Sequence, residues 1–356
     1  MTHSPRLSRR HALALFAGAF CATRLTAAQA QAQGEAAVEQ NARFAAGLYE
    51  IVFSASQNRL YVAAAGVRGA DDARLFAVDP GTLEAKSFLE LGDEPAFGLG
   101  LNDRRHRLYT TNTRSGSVSV IDTQSGKLLG KLAEGEKAHV RQVVVDDEKD
   151  VVYVSVFGAR GAPSQVWVID GATQKIAHVL QDGLDGGITG LALDRAGNRL
   201  FATALQSNEI VEIDLGSRAV KRRFASGGEG AVNVAYDPAG RRLFVTNQKS
   251  GTLTVLDAGS GALVKSIETG AGALSLALNP PRGLVLVANR QAGTVSLVDA
   301  ASLTVRDSLV TGTHPQTIAV DPTGGRAWVT NKARSAPRGQ PPVEDPQGDT
   351  VSLIRL

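Results

Sequence analysis

A short hairpin motif recurs along this chain, and it limits the possible folds more than any other feature does. The clearest copy runs from Leu243 to Asp257. Apolar and small polar residues alternate up to Asn247, four turn-type residues follow, and a second alternating run ends on the aspartate. This pattern predicts a β-hairpin with one buried face. Six related segments are Leu60–Ala64, Leu108–Asn112, Val152–Val156, Leu200–Ala204, Val285–Asn289 and Ala327–Asn331.

The spacing of these segments predicts an all-β fold, a seven-bladed β-propeller with four-stranded antiparallel blades. The segments end at residues 64, 112, 156, 204, 247, 289 and 331, so consecutive copies lie 42 to 48 residues apart, as propeller blades do. Each unit holds four alternating runs, the number of strands in a blade. The seventh unit ends after its third run, Thr350–Ile354. We therefore expect an N-terminal strand within Gly34–Phe44 to complete the last blade and close the ring.

Residues 1–32 have the features of an export signal, and the propeller is expected over residues 33–356. Three arginines precede the apolar run Ala12–Ala22, and small residues offer cleavage after Ala30 or Ala32. Ser8–Leu13 resembles a twin-arginine signal, and an ordinary secretory peptide with an accidental arginine pair is the alternative. We expect a periplasmic protein without a membrane anchor.

Cleavage would change two arguments from composition. The first 32 residues hold four arginines and no acidic residue, so their loss lowers the net charge from +3 to −1. A charge of −1 argues against a nucleic-acid partner. Cys21 is the only cysteine, so the cleaved chain could form no disulfide, thiolate metal site or covalent c-type haem. We expect a monomer with no cofactor.

The repeats resemble those of the YVTN-repeat β-propeller family. The resemblance lies in Leu243–Asn247 and Ala327–Asn331 and in the strands that follow them. Asn289–Asp299, Thr313–Pro315 and the polar loop Lys332–Asp349 are similar to bacterial periplasmic members of that family. The resemblance implies a propeller fold and a periplasmic location. Related propellers include binding proteins and the propeller parts of quinone or haem oxidoreductases, and the motif itself carries no catalytic residue.

Polar residues that recur once per blade are interpreted as structural. A catalytic carboxylate is not needed in every blade, whereas aspartate followed closely by glycine or serine is typical of turn capping. The aspartates that end third strands are Asp79, Asp122, Asp170, Asp214, Asp257 and Asp299. The same interpretation applies to the asparagines that end second strands, Asn112, Asn247, Asn289 and Asn331.

The innermost strands predict a candidate ligand site. Small residues dominate at the positions expected to face the central axis, which are Val52, Gly100, Val144, Ala192, Ala235, Ala277 and Ala319. The side-chain period of two places on the same side a small or polar ring: Glu50, Gly98, Gln142, Gly190, Asn233, Ser275 and Thr317. This ring, with His139, Arg141 and His314 beside it, is predicted to line the channel mouth. A hydrated pore without a ligand is the alternative.

No metal site is expected, although His139, His314 and Glu50 could in principle supply three ligands. The two histidines come from blades three and seven, and their spacing is not that of a ligand pair. Three long loops between second and third strands, at residues 65–72, 157–165 and 332–349, are expected on the same face as the mouth.

Three functional hypotheses follow. The first is an exported, non-enzymatic binding or interaction protein with an unknown small molecule or protein at the mouth. The second is a lactonase-like hydrolase, or a propeller partner of a quinone-linked oxidoreductase, that uses Glu50, Arg141 and the two histidines. The third is single-stranded nucleic-acid binding, suggested by arginine-rich turns and opposed by the net charge. Residues 33–356 contain no phosphate loop, nucleophile elbow or His-Glu-x-x-His motif.

Overall fold

The computed structural model describes Met1 and residues 36–67, 69–135, 138–158, 163–335 and 343–356. The predicted export signal and its cleavage positions lie outside the described residues. The described chain forms seven four-stranded antiparallel sheets, which confirms the predicted seven-bladed propeller. Within these ranges, no helix has both the length and the apolar character needed to cross a bilayer.

The blades follow one another along the chain, and each is built outward from the central axis. Strand β1 (Ala37–Arg43) comes first. Blade one holds β2 (Leu48–Ser54), β3 (Arg59–Ala64), β4 (Ala73–Val78) and β5 (Ala85–Gly92); blade two holds β6 (Gly98–Asn102), β7 (Arg107–Asn112), β8 (Ser117–Asp122) and β9 (Leu128–Ala133); blade three holds β10 (Val140–Asp146), β11 (Val151–Val156), β12 (Gln165–Asp170) and β13 (Lys175–Leu180).

The remaining blades repeat this plan. Blade four holds β14 (Ile188–Asp194), β15 (Arg199–Ala204), β16 (Glu209–Asp214) and β17 (Ala219–Ala225); blade five holds β18 (Ala231–Asp237), β19 (Arg242–Asn247), β20 (Thr252–Asp257) and β21 (Leu263–Glu268); blade six holds β22 (Ala273–Asn279), β23 (Leu284–Asn289), β24 (Thr294–Asp299) and β25 (Thr304–Val310); blade seven holds β26 (Pro315–Val320), β27 (Arg326–Asn331), β28 (Thr350–Arg355) and β1. A short 3₁₀ helix, Pro280–Arg282, joins β22 to β23.

Strand β1 closes the ring as predicted, because it forms the outermost strand of blade seven. It pairs antiparallel with β28, with Ala42 opposite Val351. Ser352 Oγ donates a hydrogen bond to Asn41 Oδ1 at 2.5 Å. The edge of β28, which would otherwise be free to pair with another chain, is thereby covered.

Seven apolar clusters, one between each pair of neighbouring blades, hold the ring together. At the junction of blades seven and one, Trp328 is fully buried and stacks on Phe53 with ring centroids 4.9 Å apart. Its Nε1 donates to the backbone oxygen of Pro80 at 2.9 Å. Burial of such a side chain is worth roughly 25 cal/mol for each Å² of apolar surface removed from water.

A second type of contact, here called the interblade hydroxyl bond, joins five of the seven blade pairs. The fourth residue of the repeated second-strand motif donates its hydroxyl to a backbone oxygen of the next blade's innermost strand. The bonds are Thr111 to Arg141 (2.6 Å), Ser155 to Thr189 (2.6 Å), Thr203 to Val232 (3.1 Å), Thr246 to Leu274 (3.0 Å) and Thr330 to Tyr49 (2.6 Å). Blades one and six carry Ala63 and Ala288 at this position, so these two side chains have no hydroxyl to donate.

The recurrent aspartates cap turns, as predicted. Asp257 Oδ1 accepts hydrogen bonds from the backbone nitrogens of Gly259 (3.1 Å) and Ser260 (2.6 Å). The equivalent backbone bonds hold the pKa of each of these carboxyls below its usual value. The asparagines also have a structural role: Asn331 Nδ2 donates to Thr350 Oγ1 and Ser352 Oγ on the neighbouring strand, at 3.0 and 2.8 Å.

Removal of the closing strand is expected to destabilise the whole ring. A chain that begins at Leu48 lacks β1, so it loses backbone hydrogen bonds worth about 1 kcal/mol net each and exposes the edge of β28. It should melt several degrees lower by circular dichroism and scatter more light on standing. A chain that begins at Gly34 retains β1 and is the control. Equal melting temperatures for the two chains would mean that β1 does not fasten the ring in solution.

Loss of one interblade hydroxyl bond should also be measurable. Thr330→Val keeps the side-chain shape but removes one of the two hydroxyl donors to the Tyr49 backbone oxygen, which should cost about 0.5–1.5 kcal/mol of unfolding free energy. Urea denaturation measures the loss. Thr304→Val, at an exposed position on β25, is the matched control and should change stability by less than about 0.5 kcal/mol. Similar effects of the two substitutions would contradict the importance of this bond.

Candidate functional site at the channel mouth

A cavity of about 330 Å³ lies where the innermost strands begin, and residues from all seven blades line it. Seven of the eight predicted site residues are in its wall: Glu50, His139, Arg141, Gln142, Asn233, Ser275 and Thr317. His314, the eighth, does not line the cavity. Of the two ring glycines, Gly190 lines the cavity and Gly98 does not.

The predicted axis-facing residues line two further cavities, deeper along the central axis. Val144, Ala192, Ala235 and Ala277 border one of about 590 Å³, and Val52, Gly100 and Ala319 border one of about 370 Å³. Small residues are required between adjacent innermost strands. A Cβ at Gly98 would lie 2.4 Å from the Arg141 backbone oxygen, and one at Gly190 would lie 2.6 Å from Asn233 Cα.

Bulges in the innermost strands explain why the cavity wall is larger than the sequence predicted. In six blades the pairing between the first and second strands shifts close to the ring residue, for example between Leu48 and Ile51. A bulge sets two residues of one strand against one of the next and re-aims their side chains. Two consecutive residues therefore line the cavity in each of these blades. The two-residue side-chain period of a strand predicts only the second residue of each pair. Those additional residues include Tyr49, Thr189, Val232, Leu274 and Gln316.

Several ring side chains are already used by the scaffold. Gln142 Oε1 accepts a hydrogen bond from the Leu191 backbone nitrogen at 2.6 Å, which links blade three to blade four. Thr317 Oγ1 donates to the Tyr49 backbone oxygen at 3.0 Å. Ser275 differs, because its side chain is only 4% exposed and its Oγ has no hydrogen-bond partner among the described residues.

Among the described residues of the cavity wall Glu50 is the one acidic side chain, and its environment favours the neutral form. Burial raises its pKa from 4.5 to about 8, while hydrogen bonding with the Thr317 side chain and the Ile51 backbone opposes the shift. At neutral pH most molecules therefore carry a protonated Glu50, which can donate a hydrogen bond. The turn-capping aspartates show the opposite shift because backbone N–H groups stabilise their charged form.

Positive charge and aromatic rings lie together on one side of the mouth. Tyr49 and Phe97 pack edge to face with centroids 4.7 Å apart. Lys332 Nζ lies 3.7 Å from the Tyr49 ring centroid, and the Arg114 guanidinium lies 5.7 Å from that of Phe97. These distances fit cation–π contacts. Phe97 and Arg114 were not predicted as site residues because they belong to blade two, where the ring position is a glycine.

Arg141 is the predicted cation in the wall, and Arg290 lies nearby. Arg290 Nη1 donates to Gln316 Oε1, so its guanidinium is held beside the cavity wall. Burial lowers the pKa of both arginines, and Tyr49 opposes the shift in both. In the described part of the chain, neither arginine forms an ion pair with a carboxylate.

The two predicted histidines are not brought to one site. His139 lines the cavity and packs against Phe157 with centroids 5.6 Å apart. Burial and the charge of Arg141 lower its pKa. His314 has a left-handed backbone, φ 46°, directly before β26, and its backbone oxygen accepts from the Lys332 nitrogen at 3.0 Å. No group of three or more His, Cys, Asp or Glu side chains suited to a metal ion occurs among the described residues.

The described ends of the three long loops lie at the mouth. The Ala65 nitrogen donates to the Gly47 oxygen at 2.8 Å, and the Phe157 nitrogen donates to the His139 oxygen at 3.0 Å. Lys332 makes the contacts with His314 and Tyr49 given above. Residues 68, 159–162 and 336–342 of these loops lie outside the described residues.

Comparison with known proteins agrees with the fold. Residues 187–337 match the model of the family described as YNCE-like beta-propeller. The chain is 30% identical over 187 residues to the protein named "Uncharacterized protein YncE" from Escherichia coli (strain K12), and equally so to its namesake from Salmonella typhi. Each match covers 50% of this chain and 51% of the relative, so it spans about half the length of these curated relatives. The predicted resemblance is confirmed: the chain is similar to YncE-like propellers in sequence and in fold.

The raised pKa of Glu50 predicts a specific pH dependence of stability. The folded protein holds this proton more tightly than the unfolded chain does, so the stability that protonation provides is lost as pH rises from 4.5 through about 8. Glu50→Gln cannot ionise. Its melting temperature relative to wild type should therefore increase across this pH range in a thermal-melt series. Glu84→Gln, at an exposed position in the turn between β4 and β5, is the control, and its curve should run parallel to that of wild type. A parallel curve for Glu50→Gln would contradict the shift.

Proposed function

We propose that this YncE-like β-propeller is an exported periplasmic binding or interaction protein, not an enzyme, and that its ligand occupies the mouth cavity. The observation that carries the proposal is a single cavity whose wall receives residues from all seven blades. Its volume of about 330 Å³ is in the range of small-molecule pockets, and polar groups converge in it. A ligand there could contact every blade at once.

Export is supported by the sequence of residues 1–32, with its arginines, apolar run and small-residue cleavage positions. The names of the relatives assign no activity, and their similarity covers half of each chain. The identity of the ligand must therefore be argued from the residues of this chain.

The hydroxyl groups in the wall favour binding over hydrolysis. Nucleophilic catalysis requires a nucleophile within hydrogen-bond reach of a base. Thr189 Oγ1 donates to the Val232 backbone oxygen at 2.9 Å, and Thr317 Oγ1 donates to that of Tyr49. Ser275 Oγ makes no bond to a base in the described part of the chain. The wall thus offers groups that can recognise a ligand, without a hydroxyl prepared for attack.

Calorimetry with small-molecule fractions of a periplasmic extract tests the proposal. Wild type should bind a component, and a Glu50→Ala/Asn233→Ala double variant should lose most of the heat because both residues line the cavity. The matched control is Glu84→Ala/Gln124→Ala. These two exposed residues lie in turns that strand alternation places on the opposite face. Binding that survives in the mouth variant and disappears in the control would move the site to the other face.

A further inference from the structure

Four cations lie at or beside the described part of the mouth. Arg141 and Arg114 line the cavity, and Lys332 and Arg290 adjoin it through Tyr49 and Gln316. In the described ranges, no carboxylate forms an ion pair with any of these four cations. Arg114 and Arg141 are exposed, and Arg290 and Lys332 are partly exposed, so a ligand at the mouth can reach these cations.

Glu50 compensates this charge poorly, because desolvation raises its pKa to about 8 and so favours the neutral carboxyl. In that form it is a hydrogen-bond donor, as are the arginines. Most charged and titratable groups in the wall are therefore hydrogen-bond donors. A ligand rich in acceptor oxygens would accept hydrogen bonds from these donors. Arginine matches carboxylate and phosphate oxygens especially well because its planar fork can donate two parallel hydrogen bonds.

A second observation points independently to a ligand in the cavity. Ser275 lines the cavity and is 96% buried, and its Oγ, which has almost no accessible surface, has no hydrogen-bond partner among the described residues. Leaving such a hydroxyl unsatisfied is costly, so buried hydroxyls nearly always have a partner. Rotation of the Ser275 side chain towards the cavity would let a bound acceptor supply the missing bond.

The aromatic pair Tyr49 and Phe97 indicates a second property of the ligand. Tyr49 and Phe97 form an edge-to-face wall, and their packed cations fix the two rings at the rim of the cavity. An aromatic wall next to a cation suits a ligand with an apolar or aromatic body and one anionic group.

We infer that the mouth cavity binds a small organic anion, whose carboxylate or phosphate is held by Arg141, with Ser275 as a further donor, and whose apolar part packs against Tyr49 and Phe97. This inference rests on the proposed binding function and adds the chemical class of the ligand. Carboxylate and phosphate share the acceptor geometry that arginine recognises, so both are tested.

Four aromatic probes of similar size separate charge from shape: benzoate, phenyl phosphate, neutral benzamide and cationic benzamidine. Each is titrated by calorimetry into the full chain at low salt. At least one of the two anions should bind, and benzamide and benzamidine should bind at least tenfold more weakly. Arg141→Gln should weaken anion binding by tenfold or more, and Ser275→Ala should weaken it several-fold. Arg218→Gln, in an exposed turn on the opposite face, is the matched control and should leave affinity unchanged.

The outcomes distinguish this inference from the function on which it rests. Binding of benzamide or benzamidine without the anions, lost in the Glu50→Ala/Asn233→Ala variant, would overturn the anionic class and leave a mouth site intact. Anion binding equal in wild type and Arg141→Gln would place the anion elsewhere and overturn the inference. No binding heat with any probe at millimolar concentration would also overturn the inference of an anionic ligand. The titration with periplasmic extract would still test whether the mouth is a binding site. Thermal melts of each variant confirm that folding is retained, and Ser275→Ala, which removes a single buried oxygen, provides a test if Arg141→Gln does not fold.

Discussion

The interblade hydroxyl bond is the contact on which the geometry of the mouth depends. Its donor is a hydroxyl on the second strand of one blade. Its acceptor is a backbone oxygen of the next blade's innermost strand, in the residue directly before the ring residue, as in the bond from Thr246 to Leu274. The acceptor is free because a bulge interrupts the regular pairing at that point. The same local feature therefore satisfies a buried carbonyl and turns consecutive side chains towards the axis. A strand without the bulge would pair fully and present fewer groups to the cavity.

The repeat is least regular where the candidate site is most distinctive. Ala288 replaces the hydroxyl donor at the junction of blades six and seven, and there Arg290 instead contacts Gln316 across the same junction. Blade two has Gly98 at the ring position, and Phe97 with Arg114 contributes to the wall in its place. Because nearest-neighbour contacts hold each blade in a repeat protein, one junction can change its side chains while the others preserve the ring. Ligand specificity can then come from the residues that differ from the repeat motif.

The sequence determined the fold almost completely and the site only in part, for reasons that particular residues make clear. Blade number followed from the motif around Thr246, and the role of β1 followed from a seventh unit that lacks its last strand. Glu50 and Asn233 were found because the period of two holds approximately along the innermost strands. Gln316 was missed because a bulge has no fixed residue signature and is visible only in strand pairing. His314 was predicted as a site residue from its place before β26, and it lies outside the lining of the described cavity.

The closing strand and the mouth meet at the same junction, so ring closure also positions the candidate site. Thr317 and Thr330 of blade seven both donate to the backbone oxygen of Tyr49 in blade one, and Lys332 packs on its ring. Glu50 is next along this strand. Blade seven reaches its full width only through β1, whose end adjoins the apolar cluster that contains Leu48 and Trp328. A weaker closure would weaken the hydrogen bonds to the Tyr49 backbone oxygen and the desolvation that raises the pKa of Glu50. The contacts that close the ring therefore also position the residues at its mouth.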